Sequence, residues 1–139
     1  MKLLVAVDGS VSSLKAVEAA CDLAKSQPMS SAILLAVSIE LPELEEGRYI
    51  ADKMKVQAEA ALVKAREVAK NKGLDTGVEI LLTTGASPAE EIVSVAKDRQ
   101  VDLIVIGSRG LAGKTSSFLG STASKVVTYS SCSVLVVKN

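Results

Sequence analysis

Short apolar runs alternate along this chain with longer segments of helical periodicity, and this alternation constrains the fold more than any other feature. The apolar runs, which predict five strands, are 3–7, 32–39, 78–83, 101–106 and 133–137. Strands that alternate with helices form parallel crossovers, and helices then cover both faces of an open sheet. The sequence therefore predicts an α/β fold in the order βαβαβαβαβ.

The helical segments have recognisable ends. The first begins near Ser12 and ends at Pro28, which cannot continue a helix. The second covers about 49–72, with Gly73 as its C-terminal cap. The third opens on a capping box at 87–90, and the fourth begins near 120–121. Because no linker, repeat or low-complexity tract interrupts the pattern, we expect one domain over residues 1–139.

Two strands have features of a sheet edge. Glu79 is a charged residue inside the third strand, which indicates a less buried, edge-like position. The fifth strand is very apolar at 134–137. An exposed apolar edge pairs readily with another chain. We therefore expect a homodimer that is joined through the fifth strand.

Composition excludes several classes of function. The 16 Lys and Arg balance the 16 Asp and Glu, so the chain has no basic field to attract nucleic acid or an anionic membrane. There is no His, which excludes Ser-His-Asp and Cys-His catalysis and most zinc sites. The apolar runs are far shorter than the roughly 20 residues of a membrane span. We expect a soluble cytoplasmic protein that binds neither nucleic acid nor a membrane.

The remaining candidates for metal or thiol chemistry are weak. Cys21 and Cys132 are far apart in sequence, so they form neither a CxxC motif nor a zinc cluster. Cys21 lies on the apolar stripe of the first helix and is interpreted as a core residue. Glu43, Glu45 and Glu46 are interpreted as part of a solvated acidic loop rather than as metal ligands.

Two strand ends are followed by loops with unusual chemistry. Asp8-Gly9-Ser10 follows the first strand, and a glycine- and serine-rich stretch follows the fourth over 107–122. Ligands of open α/β sheets bind at the carboxyl ends of the strands where the strand order reverses. Glycines let the main chain approach a phosphate, and a helix N-terminus holds the anion. A plain surface loop is the alternative, but ordinary connections in such folds have roughly 2–6 residues.

Two common phosphate-binding motifs do not match this loop. Gly113-Lys114-Thr115 has the end of a Walker A motif, but Ser108 stands where its first glycine belongs. The GxGxxG dinucleotide fingerprint is also absent.

The glycine spacing Gly107-x2-Gly110-x9-Gly120-Ser121 resembles the signature G-2x-G-9x-G(S/T) of the ATP-binding universal stress proteins. The resemblance covers the whole chain. Segments in the same order are similar to the family's pattern, namely VAVDGS at 5–10, GASPAEEI at 85–92, DLIVIGSRG at 102–110 and SVLVV at 133–137. The chain departs from many members at three positions, where Ala36 and Tyr129 replace His and Ser133 replaces Pro.

This resemblance implies a Rossmann-like, five-stranded parallel sheet in the order 3-2-1-4-5 and a site for ATP, or for ADP or AMP. It implies that Asp8 and Val37 hold the adenosine part. The ribose and phosphates would then contact Gly107, Arg109, Gly110, Gly120, Ser121 and Thr122. It also supports the homodimer through the fifth strand.

Several of these residues have a second interpretation. Asp8 would bind the adenosine or a Mg²⁺ or Mn²⁺ ion on the phosphates, or it would cap the turn after the first strand. Gly9 and Ser10 join the predicted binding set, although Ser10 also suits the N-cap of the first helix. Arg109 and Lys114 would neutralise phosphate, or they are solvated loop cations.

The favoured function is an adenine-nucleotide switch that regulates an unknown protein partner in a stress response. No hydrolytic base is evident, and Asp8 is the one plausible carboxylate, so any ATP hydrolysis would be slow or dependent on a partner. The alternatives are a dimeric interaction module with no nucleotide, a slow ATPase and a nucleotide-dependent transferase. The last of these rests on fold analogy alone.

Overall fold

The computed structural model describes residues 1–40, 45–110 and 119–138, with the main chain alone for 45–49. The elements alternate as predicted. In chain order they are β1 (Lys2–Ala6), α1 (Val11–Ser26), β2 (Ser31–Ile39), α2 (Glu45–Asn71), β3 (Val78–Gly85), α3 (Pro88–Asp98), β4 (Leu103–Gly107), α4 (Ser121–Tyr129) and β5 (Ser133–Val137).

The strands form one parallel sheet in the order β3-β2-β1-β4-β5. The predicted α/β fold and its 3-2-1-4-5 strand order are confirmed, and β3 and β5 lie at the edges as expected. Because β1 pairs with β2 on one side and β4 on the other, the direction of winding reverses at β1. The loops after β1 and β4 therefore meet at the carboxyl edge of the sheet, where such folds bind ligands.

Helices cover both faces of the sheet. Leu3 and Val5 of β1 point into a core that is shared with α1 and α2, whereas Leu4 points into a second core shared with α3 and α4. All three side chains are fully buried, because a strand in the centre of a parallel sheet is covered on both faces. The continuous apolar run of β1 in the sequence has this cause.

Several predicted element boundaries shift. β1 ends at Ala6, one residue before the end of its apolar run, and β3 continues to Gly85. α2 begins at Glu45, so the prediction of an acidic loop is wrong for Glu45 and Glu46. Acidic residues suit a first helical turn because the helix dipole is positive there. Glu43 lies outside the described residues. No helix among those described is long and apolar enough to cross a membrane.

Candidate functional site

A cavity of about 500 Å³ opens at the carboxyl edge of the sheet, over the ends of β1, β2 and β4. Its walls also include parts of α2 and α3 and the start of α4. The structure brings eight of the ten predicted binding residues to this one cavity: Asp8, Val37, Gly107, Arg109, Gly110, Gly120, Ser121 and Thr122. Gly9 and Ser10 do not line it.

Four hydrogen bonds among Asp8, Ser10 and Ser13 hold the turn between β1 and α1. Asp8 Oδ1 accepts from the Ser10 N–H at 2.9 Å. Ser10 Oγ is the N-cap of α1 and accepts from the Ser13 N–H at 3.1 Å. Ser13 Oγ donates to the Ser10 carbonyl oxygen and accepts from the Asp8 N–H. One carboxylate oxygen of Asp8 is thus used to shape the turn.

Gly9 and Ser10 belong to this turn but do not line the cavity. Gly9 has a φ of +86°, a conformation that strongly favours glycine, and a Cβ there would meet the Ala61 Cβ of α2 at 3.5 Å. Ser10 is buried, and its hydroxyl faces the first turn of α1. These two predicted binding residues therefore orient Asp8, and the described cavity surface does not include them.

The loop after β4 packs directly on the start of α1. A Cβ on Gly107 would lie 2.7 Å from the carbonyl carbon and oxygen of Ser12, so position 107 has no room for a side chain. Ser12 Oγ also accepts a hydrogen bond from the Arg109 N–H at 3.2 Å. The sequence analysis placed Ser12 only near the start of the first helix and missed this contact with the loop after β4.

Gly120 closes the glycine-rich stretch onto its own beginning. Its N–H donates to the Ser108 carbonyl oxygen at 2.7 Å, and a Cβ at position 120 would lie 3.3 Å from that oxygen. The loop therefore returns to the end of β4 before α4 starts. Residues 111–118, which include Lys114, lie outside the described part of the chain.

The N-terminus of α4 opens on the cavity. Gly120 is its N-cap and makes no side-chain cap hydrogen bond. The first N–H groups of a helix have no partner within the helix, and the helix dipole is positive there. Ser121 and Thr122 line the cavity at this point and add hydroxyl groups. This end of the cavity can hold an anionic group such as phosphate.

The Asp8 carboxylate lies next to the glycine-rich loop. A Cβ on Gly110 would lie 3.1 Å from Asp8 Oδ2, so the carboxylate lies beside the loop main chain. No group of three or more His, Cys, Asp or Glu side chains that could hold a metal ion occurs among the described residues. Asp8 would therefore bind a metal ion only together with ligand oxygens.

The other end of the cavity is apolar. It is formed by the end of β2, the N-terminal half of α2 and the start of α3, and its lining residues include Leu35, Val37, Ile39, Met54, Ala58, Pro88 and Ile92. The sequence analysis named only Val37 here. The others were missed, although the N-termini of helices that follow β2 and β3 must lie at this same edge of a parallel sheet.

The β2 main chain is partly open to this apolar end. β2 runs to Ile39, whereas its register with β1 ends at Leu35 opposite Ala6. The Val7 N–H still donates to the Leu35 carbonyl oxygen, and the chain then turns away at Asp8. The edge of β2 beyond Leu35 has no described strand beside it on the β1 side.

The cysteines lie apart from the cavity. Cys21 is buried in the core beneath α1, as predicted. Burial raises the pKa of its thiol above the ordinary value, and the neighbouring Asp22 carboxylate raises it further. Cys132 precedes β5, and both thiols are free.

Comparison with known proteins places the chain among relatives along its full length. The sequence pattern of the Universal stress protein family matches residues 1–138. The chain belongs to this family. The universal stress protein YxiE of Bacillus subtilis is 36% identical over 150 residues, which cover 99% of this chain and 98% of the relative.

Solved structures of universal stress proteins share the fold. UspA of Lactobacillus plantarum has a TM-score of 0.85 at 23% identity, covering 99% of this chain and 97% of its own. A universal stress protein in complex with cAMP has a TM-score of 0.74 at 31% identity, and the match covers 99% of this chain and 96% of that protein's chain. Other structures of this fold are described as complexes with dAMP and AMP.

Proposed function

We propose that this universal stress protein binds an adenine nucleotide in the cavity at the carboxyl edge of the sheet. ATP is the favoured ligand, with ADP and AMP as alternatives. The observation that carries the proposal is the division of one cavity of about 500 Å³ into an apolar end and an end lined by glycine main chain and a helix N-terminus. A nucleotide has the same division between its base and its phosphates.

The phosphate end supplies neutral donors. The N-terminus of α4, the hydroxyls of Ser121 and Thr122 and the main chain at Gly107 and Gly110 all border the same space. Oriented N–H groups at a helix N-terminus stabilise an anion without a lysine or arginine cluster. Arg109 lines the same end, and its charge would add to the attraction for phosphate.

The apolar end suits a purine. Met54 and Ala58 of α2 lie on one side of the sheet edge, and Pro88 and Ile92 of α3 lie on the other, so a flat ring fits between the helices. The open edge of β2 at Val37 offers a main-chain donor and acceptor. An adenine has the matching pair on its N1 and N6 edge. The solved relative that contains cAMP, at 31% identity, supports this ligand class.

Asp8 is proposed to hold the ribose hydroxyls or a Mg²⁺ or Mn²⁺ ion on the phosphates. The site fits such an ion because Mg²⁺ is commonly bound by one or two carboxylates together with phosphate oxygens and water. Asp8 Oδ2 lies beside the glycine-rich loop, where the phosphates would be. When bound, the metal would neutralise phosphate charge, and Asp8 would orient it.

A nucleotide switch is favoured over an enzyme. Asp8 is the one carboxylate among the described residues that line the cavity, and it already accepts a hydrogen bond from the Ser10 N–H. Efficient hydrolysis needs a positioned base or an oriented water. We therefore propose at most slow or partner-dependent hydrolysis, and regulation of a protein partner by the nucleotide that is bound.

We further propose that the chain acts as one cytoplasmic domain in a homodimer. The outer edge of β5 has no described strand beside it, and Leu135 on this strand is 37% exposed. Both cysteines are free, which suits a reducing compartment. A dimeric interaction module with an empty site remains the second candidate, and it predicts that no nucleotide binds.

Calorimetric titration with ATP and Mg²⁺ tests the proposal on protein that has been stripped of nucleotide. Gly120→Val is the informative variant because its side chain would push on the Ser108 carbonyl group and the adjoining loop. We expect saturable binding that this variant loses while its circular dichroism stays unchanged. The absence of binding at millimolar ATP, with no co-purified nucleotide, would contradict the proposal and leave the interaction module as the better interpretation.

A further inference from the structure

Gln57 is a polar side chain in an otherwise apolar wall. α2 places Met54, Gln57 and Ala58 on the cavity, and among the described residues that α2 contributes to it, Gln57 alone has a hydrogen-bonding side chain. It is exposed, and its amide makes no hydrogen bond to another described residue. A free amide at this position has its donor and its acceptor available to a ligand.

The packing of α2 fixes where this amide lies. Ala61 stands one helical turn after Gln57 on the same face of α2, and it is the residue that the turn at Gly9 approaches. α2 packs chiefly on β2. The part of α2 that carries Gln57 therefore lies over β2, whereas the glycine-rich loop and α4 follow β4, on the other side of β1. This places Gln57 at the base end of the cavity.

We infer that Gln57 recognises adenine by its N6 and N7 edge and so adds to the preference of the site for adenine over guanine. The inference rests on the proposed nucleotide function and deepens it. The open edge of β2 at Val37 would take the N1 side of the base and one N6 hydrogen. Gln57 then accepts from the second N6 hydrogen and donates to N7.

The chemistry of the two purines explains the discrimination. Adenine presents an acceptor at N7 and a donor at N6, which match the two ends of a glutamine amide. Guanine presents acceptors at both N7 and O6, so the acceptor oxygen of the glutamine amide would face another acceptor. A lysine has only donors and suits the guanine edge instead.

The test combines a change in the protein with a change in the ligand. Wild type and Gln57→Leu are titrated with ATP and with 7-deaza-ATP, which lacks the N7 acceptor. We expect wild type to bind ATP about tenfold more tightly than 7-deaza-ATP, as for the loss of a well-placed base contact. Gln57→Leu should bind the two equally. Gln27→Leu is the matched control, because Gln27 is an exposed glutamine outside the cavity.

Two further variants protect the test against a folding defect. Gln57→Glu keeps the size of the side chain but has no N–H to donate and would face N7 with an acceptor, so it should bind 7-deaza-ATP at least as tightly as ATP. Gln57→Lys should raise the affinity for GTP relative to ATP. A preference for ATP over 7-deaza-ATP that survives in Gln57→Leu and Gln57→Glu would overturn the role of Gln57 and leave nucleotide binding intact. Failure of wild type to bind ATP would instead overturn the proposed function.

Discussion

Gly107 and Ser12 lie in contact, although 95 residues separate them in sequence. A Cβ on Gly107 would lie 2.7 Å from the Ser12 carbonyl carbon and oxygen, and Ser12 Oγ accepts from the Arg109 N–H. The contact holds the start of α1 against the loop after β4. The shape of the phosphate end of the cavity therefore depends on this contact between the start of α1 and the loop after β4.

Gly107→Ala should disturb the contact between Gly107 and Ser12. The methyl group would meet main-chain atoms, which cannot move aside as a flexible side chain can. We expect the free energy of unfolding to fall by about 1–3 kcal/mol, the usual range for overpacking, and nucleotide affinity to fall with it. Urea unfolding and calorimetric titration measure the two effects.

Gly110→Ala is the matched control for this substitution. Its added Cβ would meet the side-chain oxygen of Asp8 at 3.1 Å rather than main chain, and the Asp8 side chain is exposed. We expect a change in stability within about 0.5 kcal/mol, as for most surface substitutions. Equal losses of stability in both glycine variants would contradict the assignment of the strain to the contact between Gly107 and Ser12.

Asp8→Asn separates the charge of this side chain from its structural role. An asparagine oxygen can still accept from the Ser10 N–H, so the turn and the unfolding midpoint should be retained. The loss of charge should weaken ATP binding and reduce its dependence on Mg²⁺. Titrations with and without Mg²⁺ measure this, and a variant with wild-type affinity and metal dependence would exclude Asp8 from the site.

Ser10→Ala should lower stability and leave ATP affinity nearly unchanged, which is the opposite of the effect expected for Asp8→Asn. Ser10 caps α1 through the Ser13 N–H, and loss of an N-cap hydroxyl typically lowers stability by about 1 kcal/mol. The hydroxyl does not line the cavity, so we expect ATP affinity to change less than twofold at a temperature where the variant is fully folded. A large loss of affinity without a loss of stability would instead make Ser10 a ligand of the nucleotide, as the sequence analysis predicted.

Alkaline pH should destabilise the protein in two stages. Burial raises the pKa of the Cys21 thiol above its ordinary 9.0, and a hydrogen bond to Asp22 raises that of the Lys72 ammonium above 10.5. A group whose pKa is raised by folding stabilises the protein below its unfolded pKa, and this contribution is lost as the pH rises through the folded value. Urea unfolding should therefore show falling stability from about pH 9 upward.

Two variants show which group causes each stage of the loss of stability at alkaline pH. Cys21→Ala should remove the part of the decline that begins near the thiol pKa, after allowance for its lower stability at neutral pH. Lys72→Met should chiefly affect the later part, above the ordinary lysine value, although the Lys72 charge also lowers the pKa of the Cys21 thiol. An identical pH profile for wild type and Cys21→Ala would show that the buried thiol does not contribute.

Leu135→Lys tests the homodimer. A charged side chain on the outer edge of β5 should prevent a second copy from packing there, because an inserted lysine is a common means of blocking strand pairing. Light scattering after size exclusion should give a dimer mass for wild type and a monomer mass for the variant. Val56→Lys is the control, because Val56 is 64% exposed on α2. A wild type that is already monomeric would contradict the proposed dimer.

The sequence predicted the elements of the fold well, because the strands are short apolar runs and most of the helices have a recognisable start. Ser87 caps α3 and Pro88 is its first residue, as the capping box indicated. Periodicity alone did not give the strand order, which came from the family resemblance. The start of α2 was missed because an acidic first turn has the same composition as a solvated loop.

The candidate site was predicted unevenly. The signature glycines Gly107, Gly110 and Gly120 have a spacing that sequence alone displays, and these three line the cavity. The apolar end could not be predicted in detail, because it depends on how far α2 and α3 slide along the sheet. The approach of Gly9 to Ala61, which sets the position of Gln57, joins two residues with no shared sequence signal.

The position of β1 in the middle of the sheet has a consequence for synthesis on the ribosome. Its first neighbour, β2, emerges soon after it, whereas its second neighbour, β4, begins only at Leu103. Chains emerge and fold from the N-terminus at about 5–20 residues per second, so the β4 side of β1 stays open for seconds. An open apolar edge aggregates readily. We expect nascent chains that stall before β4 to be clients of chaperones, whereas chains from which residues 103–107 have emerged can pair β4 with β1.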